Sequence, residues 1–229
     1  MVTFDITPHR TALLIVDLQR LFVEGSPVAA PDGPAVLERL RRLAATCRQA
    51  GIRIIHTAHV VRPGGANAGV MGEVVPAVRA GLIDDGNPIA ELHPGSEVHT
   101  GDVVLKKPRY GAFHGTDLEL ILRGAGIDTL IIGGIATHVC CDTTAREASV
   151  RDFRVLFLSD GTACFPLPDI GFGPVTADDL QRAVLGAIAF AFGEVLSTEE
   201  ATRRIALSQT TRSSSALAPS GAGDAAGTG

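Results

Sequence analysis

The chain has 229 residues, 45% hydrophobic and 20% charged, with a net charge of −5. That balance fits one large globular domain. The absence of a basic cluster argues against a nucleic-acid partner, and no apolar run reaches the ~18 residues of a membrane span. The first residues lack a signal peptide's charged and apolar regions. Cys47, Cys140, Cys141 and Cys164 have neither zinc-ligand spacing nor disulfide-scaffold density, so a cytoplasmic location is expected.

In chain order, Thr11 to Val16 is a continuous apolar run stopped by Asp17, the pattern of a central parallel strand. Residues 34–50 predict a helix with Val36, Leu37, Leu40, Leu43 and Ala44 on one face, closed by Gly51. Residues 53–60 read as a second strand. The glycine-rich stretch 62–69 and the region onward to residue 100 show little periodicity, and a connection of that length points to a lid or binding loop. A third strand is expected over 102–106. Thr116-Asp-Leu-Glu119 has the pattern of a capping box, opening a helix that ends near Gly124 to Gly126. Leu130 to Ile132 form a fourth strand ended by Gly133 and Gly134. A helix follows from near Thr137, with Cys140 and Cys141 in its first turn.

A fifth strand is expected over 154–159. Residues 177–192 predict a helix that is apolar on nearly every face. Such a helix needs burial on more than one side, so a homo-oligomer, dimer or tetramer, is expected through it. Ser197-Thr-Glu-Glu200 is a second capping-box pattern, opening a short terminal helix. Residues 208–229 are small and polar and are expected to form a disordered low-complexity tail, leaving 1–207 as the folded domain. Strands alternating with helices imply a three-layer, Rossmann-like α/β fold, with a mainly parallel central sheet and helices on both faces. Working groups in such sheets gather at the carboxyl ends of the strands. Asp17, Lys107 and Cys140 are all placed there.

Cysteines in a first helical turn meet unpaired N–H groups and the positive end of the helix dipole, which favour thiolate. The alternative reading of Cys140 and Cys141 is two small buried apolar residues. Two further segments bear on the choice. Thr11-Ala-Leu-Leu-Ile-Val-Asp-Leu-Gln-Arg-Leu-Phe22, Lys107-Pro-Arg-Tyr-Gly-Ala-Phe-His-Gly-Thr-Asp-Leu118 and Gly134-Ile-Ala-Thr-His-Val-Cys-Cys-Asp-Thr-Thr-Ala145 resemble the three signatures of the isochorismatase-like cysteine hydrolases. They occur in the family's order, across about residues 8–205. The resemblance implies a cofactor-free Asp–Lys–Cys triad at Asp17, Lys107 and Cys140, and a cis peptide at Ile135–Ala136. The signature spacing selects Lys107 over Lys106. The amidohydrolase branch, which includes N-carbamoylsarcosine, ureidoacrylate and biuret amidohydrolases, is the most similar.

The chemistry that follows is hydrolysis of a C–N bond in a small amide, carbamoyl or ureido substrate. Cys140 attacks, Asp17 carries the proton, and Lys107 holds Asp17 and lowers the thiol pKa. The backbone N–H groups of Ala136 and Cys140 form the oxyanion hole. One alternative is a vinyl ether hydrolase of the isochorismatase type using Asp17 as acid; another is a non-catalytic binding protein on the same fold. Phe22, Tyr110 and Phe113 are expected to wall the pocket, with plain core packing as the alternative. His138 either touches substrate or caps the turn. His56 and His59 lack the spacing of a metal site, so no metal is expected. Arg62 reads as a solvated loop residue, and Cys47 and Cys164 as structural. Cys141 sits about 100° around a helix from Cys140 and is expected to face the sheet, unreactive.

Overall fold

The computed structural model describes residues 2–216. Its strands are β1 (Thr11–Val16), β2 (Arg53–His59), β3 (Val103–Lys107), β4 (Thr129–Ile135), β5 (Arg154–Ala163) and β6 (Glu194–Leu196). All pair in parallel, in the order β3-β2-β1-β4-β5-β6. Every residue of β1 and β4 is buried, which is why their sequences are unbroken apolar runs: a strand covered on both faces has no solvent side to alternate toward. From β1 the sheet grows outward through β2 and β3, then restarts on the other side with β4. That reversal opens a crevice at the carboxyl ends of β1 and β4.

The helices are α1 (Arg20–Val23), α2 (Gly33–Ala50), α3 (Met71–Val74), α4 (Pro76–Arg79), α5 (Leu118–Gly124), α6 (Asp142–Ser149), α7 (Ala177–Ala191) and α8 (Thr198–Ala216). Two apolar clusters show the three layers. One joins Leu13, Ile15 and Ile131 of the sheet to Leu40 of α2 and Ile205 of α8. The other joins Leu14, Val16 and Ile132 to Leu122 of α5, Ala145 of α6 and Ile188 of α7. Residues between β2 and β3 form short turns rather than long elements, with a small core of Val61, Met71, Val78 and Ile83. Turns of this length carry no helical or strand period, which accounts for the absence of pattern there.

Several expectations need correction. β6 has three residues and follows an apolar helix, so no separate hydrophobic run marks it. β5 runs on to Ala163 across a register shift opposite Ile132 and Gly134. The first capping-box pattern is out of frame, since the helix begins at Leu118, where Thr116 Oγ1 accepts from the backbone N–H. The second is half realised. The N–H of Glu200 donates to Ser197 Oγ at 3.1 Å, while the Glu200 carboxylate turns to Arg203 and Arg204. The expected tail from Ser208 is helical as far as Ala216, because no glycine or proline interrupts α8 before Pro219. Residues 217–229 lie outside the described residues. On α7, Ile188 is the one fully buried residue and Phe190 is 92% exposed.

Candidate active site

Asp17 sits one residue beyond β1, with a left-handed backbone (φ 51°). Thr57, opposite Val16 on β2, fixes it from the side. The Thr57 hydroxyl donates to Asp17 Oδ1 at 2.6 Å, and the Asp17 N–H donates to the Thr57 carbonyl at 3.1 Å. Lys107 ends β3 and is wholly buried. Its Nζ lies 2.8 Å from Asp17 Oδ2 and donates to the carbonyls of Arg109 and Tyr110 at 3.0 and 2.8 Å. Two carbonyls and a carboxylate thus surround the ammonium. Burial alone would depress Lys107, but the Asp17 carboxylate overrides it and holds the group above its ordinary value. Gly134 permits the close approach of β4 to β1. Its φ is +135°, and a Cβ there would stand 2.0 Å from the Val16 carbonyl oxygen.

Cys140 lies in a wide π-type turn, Thr137–Cys141, ahead of α6. The plain first helical turn expected for it is therefore replaced by a looser one, a form often found at functional sites. The Ile135–Ala136 peptide before this turn is cis. Cys140 is 4% exposed, and both Lys107 and Asp17 act on its thiol electrostatically. Burial pushes it well above its ordinary value; Lys107 pulls it down, and Asp17 pushes it further up. A resting thiolate, the expectation from helix dipole and lysine, is thus not what the surroundings favour. One ammonium beside one carboxylate already balances, so ionising the thiol to solvent would leave a second buried negative charge. Passing the thiol proton to Asp17 changes no net charge, and this route stays open.

Cys140 and Ala136 open onto a cavity of about 310 Å³. Phe22, Tyr110 and His138 line it. Phe113 does not line it: its ring lies 5.7 Å from Phe153, with the Arg151 guanidinium 5.1 Å away, in the core beneath α5 and α6. His59, weighed above only as a metal ligand, completes much of the wall together with Val75, Val78, Ile83, Phe165 and Leu167, which belong to no motif. The region between β2 and β3 that supplies three of them had the length of a binding loop, but nothing in it marked individual residues. Thr57 was missed as well, since a threonine in a strand reads as an ordinary β-former.

The remaining candidates go elsewhere. Cys141 is fully buried in the sheet-facing core, and burial beside Cys140 pushes its thiol well above its ordinary value. Burial takes the Cys47 thiol up to about 12, and Cys164 donates to Gln181 Oε1 at 3.4 Å. His56 Nε2 lies 3.3 Å from Asp102, while His59 Nδ1 lies 3.3 Å from the Lys107 carbonyl, so the two histidines serve different neighbours. Arg62 is exposed and outside the cavity wall.

A parallel sheet with its switch point at β1 and β4, and a buried carboxylate, ammonium and thiol gathered there, define an α/β protein equipped for acid–base and nucleophilic chemistry. The chain belongs to the isochorismatase family, matching the isochorismatase domain over residues 11–200, and is a hydrolase of that family. It is 31% identical to a ureidoacrylate amidohydrolase of Methylorubrum extorquens over 223 residues, covering 88% of each chain. It is 32% identical to nicotinamidase 3 of Arabidopsis thaliana over 187 residues, covering 76% of this chain and 89% of that one. Among solved structures it resembles a cysteine hydrolase from Pseudomonas syringae pv. phaseolicola with a TM-score of 0.87 and 36% identity, covering 90% and 97%.

Proposed function

We propose that this protein is a cysteine-dependent amidohydrolase that cleaves the C–N bond of a small amide, carbamoyl or ureido compound without a cofactor. The observation that carries the reading is the Cys140 thiol, set against the buried Asp17–Lys107 pair at the head of an apolar cavity. As Sγ attacks the carbonyl carbon, the thiol proton passes to Asp17. The N–H groups of Ala136 and Cys140 receive the developing oxyanion. The C–N bond then breaks, Asp17 returns the proton to nitrogen, and ammonia or amine leaves a thioester on Cys140. A water gives its proton to Asp17 and attacks the thioester. The acid departs as the proton returns to sulfur. Lys107 keeps its charge throughout and holds Asp17 in place.

The amidohydrolase and nicotinamidase relatives support C–N chemistry, and a thiol has no task in hydrolysis of a vinyl ether by acid alone. A panel of small amides and ureas, read by ammonia release, tests the assignment alongside isochorismate read by pyruvate release. Ammonia from at least one amide is expected. Pyruvate from isochorismate with no ammonia from any amide would replace this reading with the vinyl ether hydrolase. All four cysteines are free, which supports a reducing cytoplasmic setting. The exposed Phe190 on α7 supports a homo-oligomer, and light scattering on wild type and Phe190→Asp, with a smaller particle expected for the variant, tests it.

A further inference from the structure

Building on the thiol-hydrolase reading, we propose that the cavity selects uncharged substrates whose acyl group carries a short apolar tail, and rejects those carrying a carboxylate. In a simple amide, the reacting carbonyl must meet Cys140 while the rest of the acyl group enters the cavity. The wall it meets is almost wholly apolar: Phe22, Val75, Val78, Ile83, Phe165 and Leu167. Small-molecule sites run from about 300 to 1,000 Å³, so a cavity of about 310 Å³ suits a branched alkyl group or a single ring.

Among the described residues, no lysine or arginine lines the cavity. Besides Cys140, the titratable side chains on the wall are His59, Tyr110 and His138. Burial, reinforced by Lys107, holds His59 down to about 4, and burial lowers His138 too, so both imidazoles are neutral at neutral pH. Burial raises Tyr110 and keeps its phenol protonated. Lys107 is paired with the Asp17 carboxylate and donates to two carbonyls, and it is not on the wall. The Arg109 guanidinium is engaged by the carbonyls of Asn67 and Pro108, at 2.9 and 2.7 Å, and no arginine lines the wall. A carboxylate on the tail would lose its water and find only the neutral donors of His138 and Tyr110, with no cation to offset its charge, whereas an alkyl group loses only unfavourable contact with water.

Two isosteric pairs test this on the full-length enzyme. 4-Methylpentanamide and succinamate exchange an isopropyl group for a carboxylate, as do N-isobutyl iodoacetamide and N-(iodoacetyl)glycine. The first pair is read as kcat/KM for ammonia release. The second is read as the alkylation rate of Cys140 by peptide mapping, normalised to the rate with glutathione. The neutral member should lead by at least ~100-fold in turnover and ~10-fold in labelling. Equal rates, or a faster carboxylate in either pair, would overturn the proposal; if neither amide is turned over, the labelling ratio decides. Val75→Arg, which places a cation on the wall, should cut the labelling preference by about 10-fold, and an unchanged preference would count against selection by this wall. Failure of the underlying hydrolase reading has a different signature. It would appear as undiminished amide hydrolysis by Cys140→Ala, whatever the preference ratios.

Discussion

The Lys107–Asp17 contact at the site and the Arg41–Glu38 contact on the outer face of α2 are both 2.8 Å long. Their surroundings differ completely. The first pair is wholly buried, whereas Glu38 and its partners Arg41 and Arg42 are 41%, 36% and 75% exposed. Water and salt screen the outer cluster, which has to order long side chains for little return. At the inner pair neither charge can be removed without stranding the other in a medium that solvates it poorly. Distance does not rank these interactions. Burial does, and the proposed chemistry draws on the buried pair.

The sharpest way to break the comparison is to remove one partner from each pair. Lys107→Met leaves Asp17 buried and unpaired, and should cost about 3–5 kcal/mol in urea denaturation, with amide turnover falling to background. A second contrast uses pH. Burial, with Lys107 adding, holds His59 at about 4 against an ordinary 6.5. The unfolded chain therefore binds the extra proton first as pH falls. His59's contribution is fully present above pH 6.5 and is lost toward pH 4, by about 3 kcal/mol in all. His59→Gln should flatten that part of the stability curve, measured as urea midpoints at pH 7, 5 and 4.

Cys141→Ala probes a neutral buried neighbour of the same site. It should lose on the order of 1 kcal/mol of stability and keep most of its turnover. The smallest effect belongs to the surface. Arg41 and Arg42 hold the Glu38 carboxyl at about 2, yet Glu38→Gln should leave the urea midpoint within experimental scatter, because that shift arises in solvent-exposed contacts.

Much of this architecture is legible in the residues themselves. β1 and β4 announce themselves as uninterrupted apolar runs, and Asp17, Lys107 and Cys140 follow strands or open a turn, where a parallel sheet gathers its reactive groups. What could not be read depends on the third dimension. Whether an aromatic ring faces a cavity or a core is decided by helices distant in sequence, so Tyr110 and Phe113 look alike in the chain and part in the fold. The state of the Cys140 thiol depends on how completely it is buried, which local sequence does not encode, and the helix-terminus argument therefore pointed the wrong way. Val75, Ala77, Val78 and Ile83 of the cavity wall come from short turns between β2 and β3, whose apolar residues have no period to betray them. β6 is too short to separate from the helix before it.

The central claim is that Cys140, and not its neighbour, performs the attack. Ammonia release from an amide that the wild-type enzyme turns over, compared across wild type, Cys140→Ala and Cys141→Ala at matched circular dichroism, tests it most directly. The account predicts no detectable turnover for Cys140→Ala and near-wild-type turnover for Cys141→Ala. An active Cys140→Ala enzyme, or one silenced only at Cys141, would contradict it.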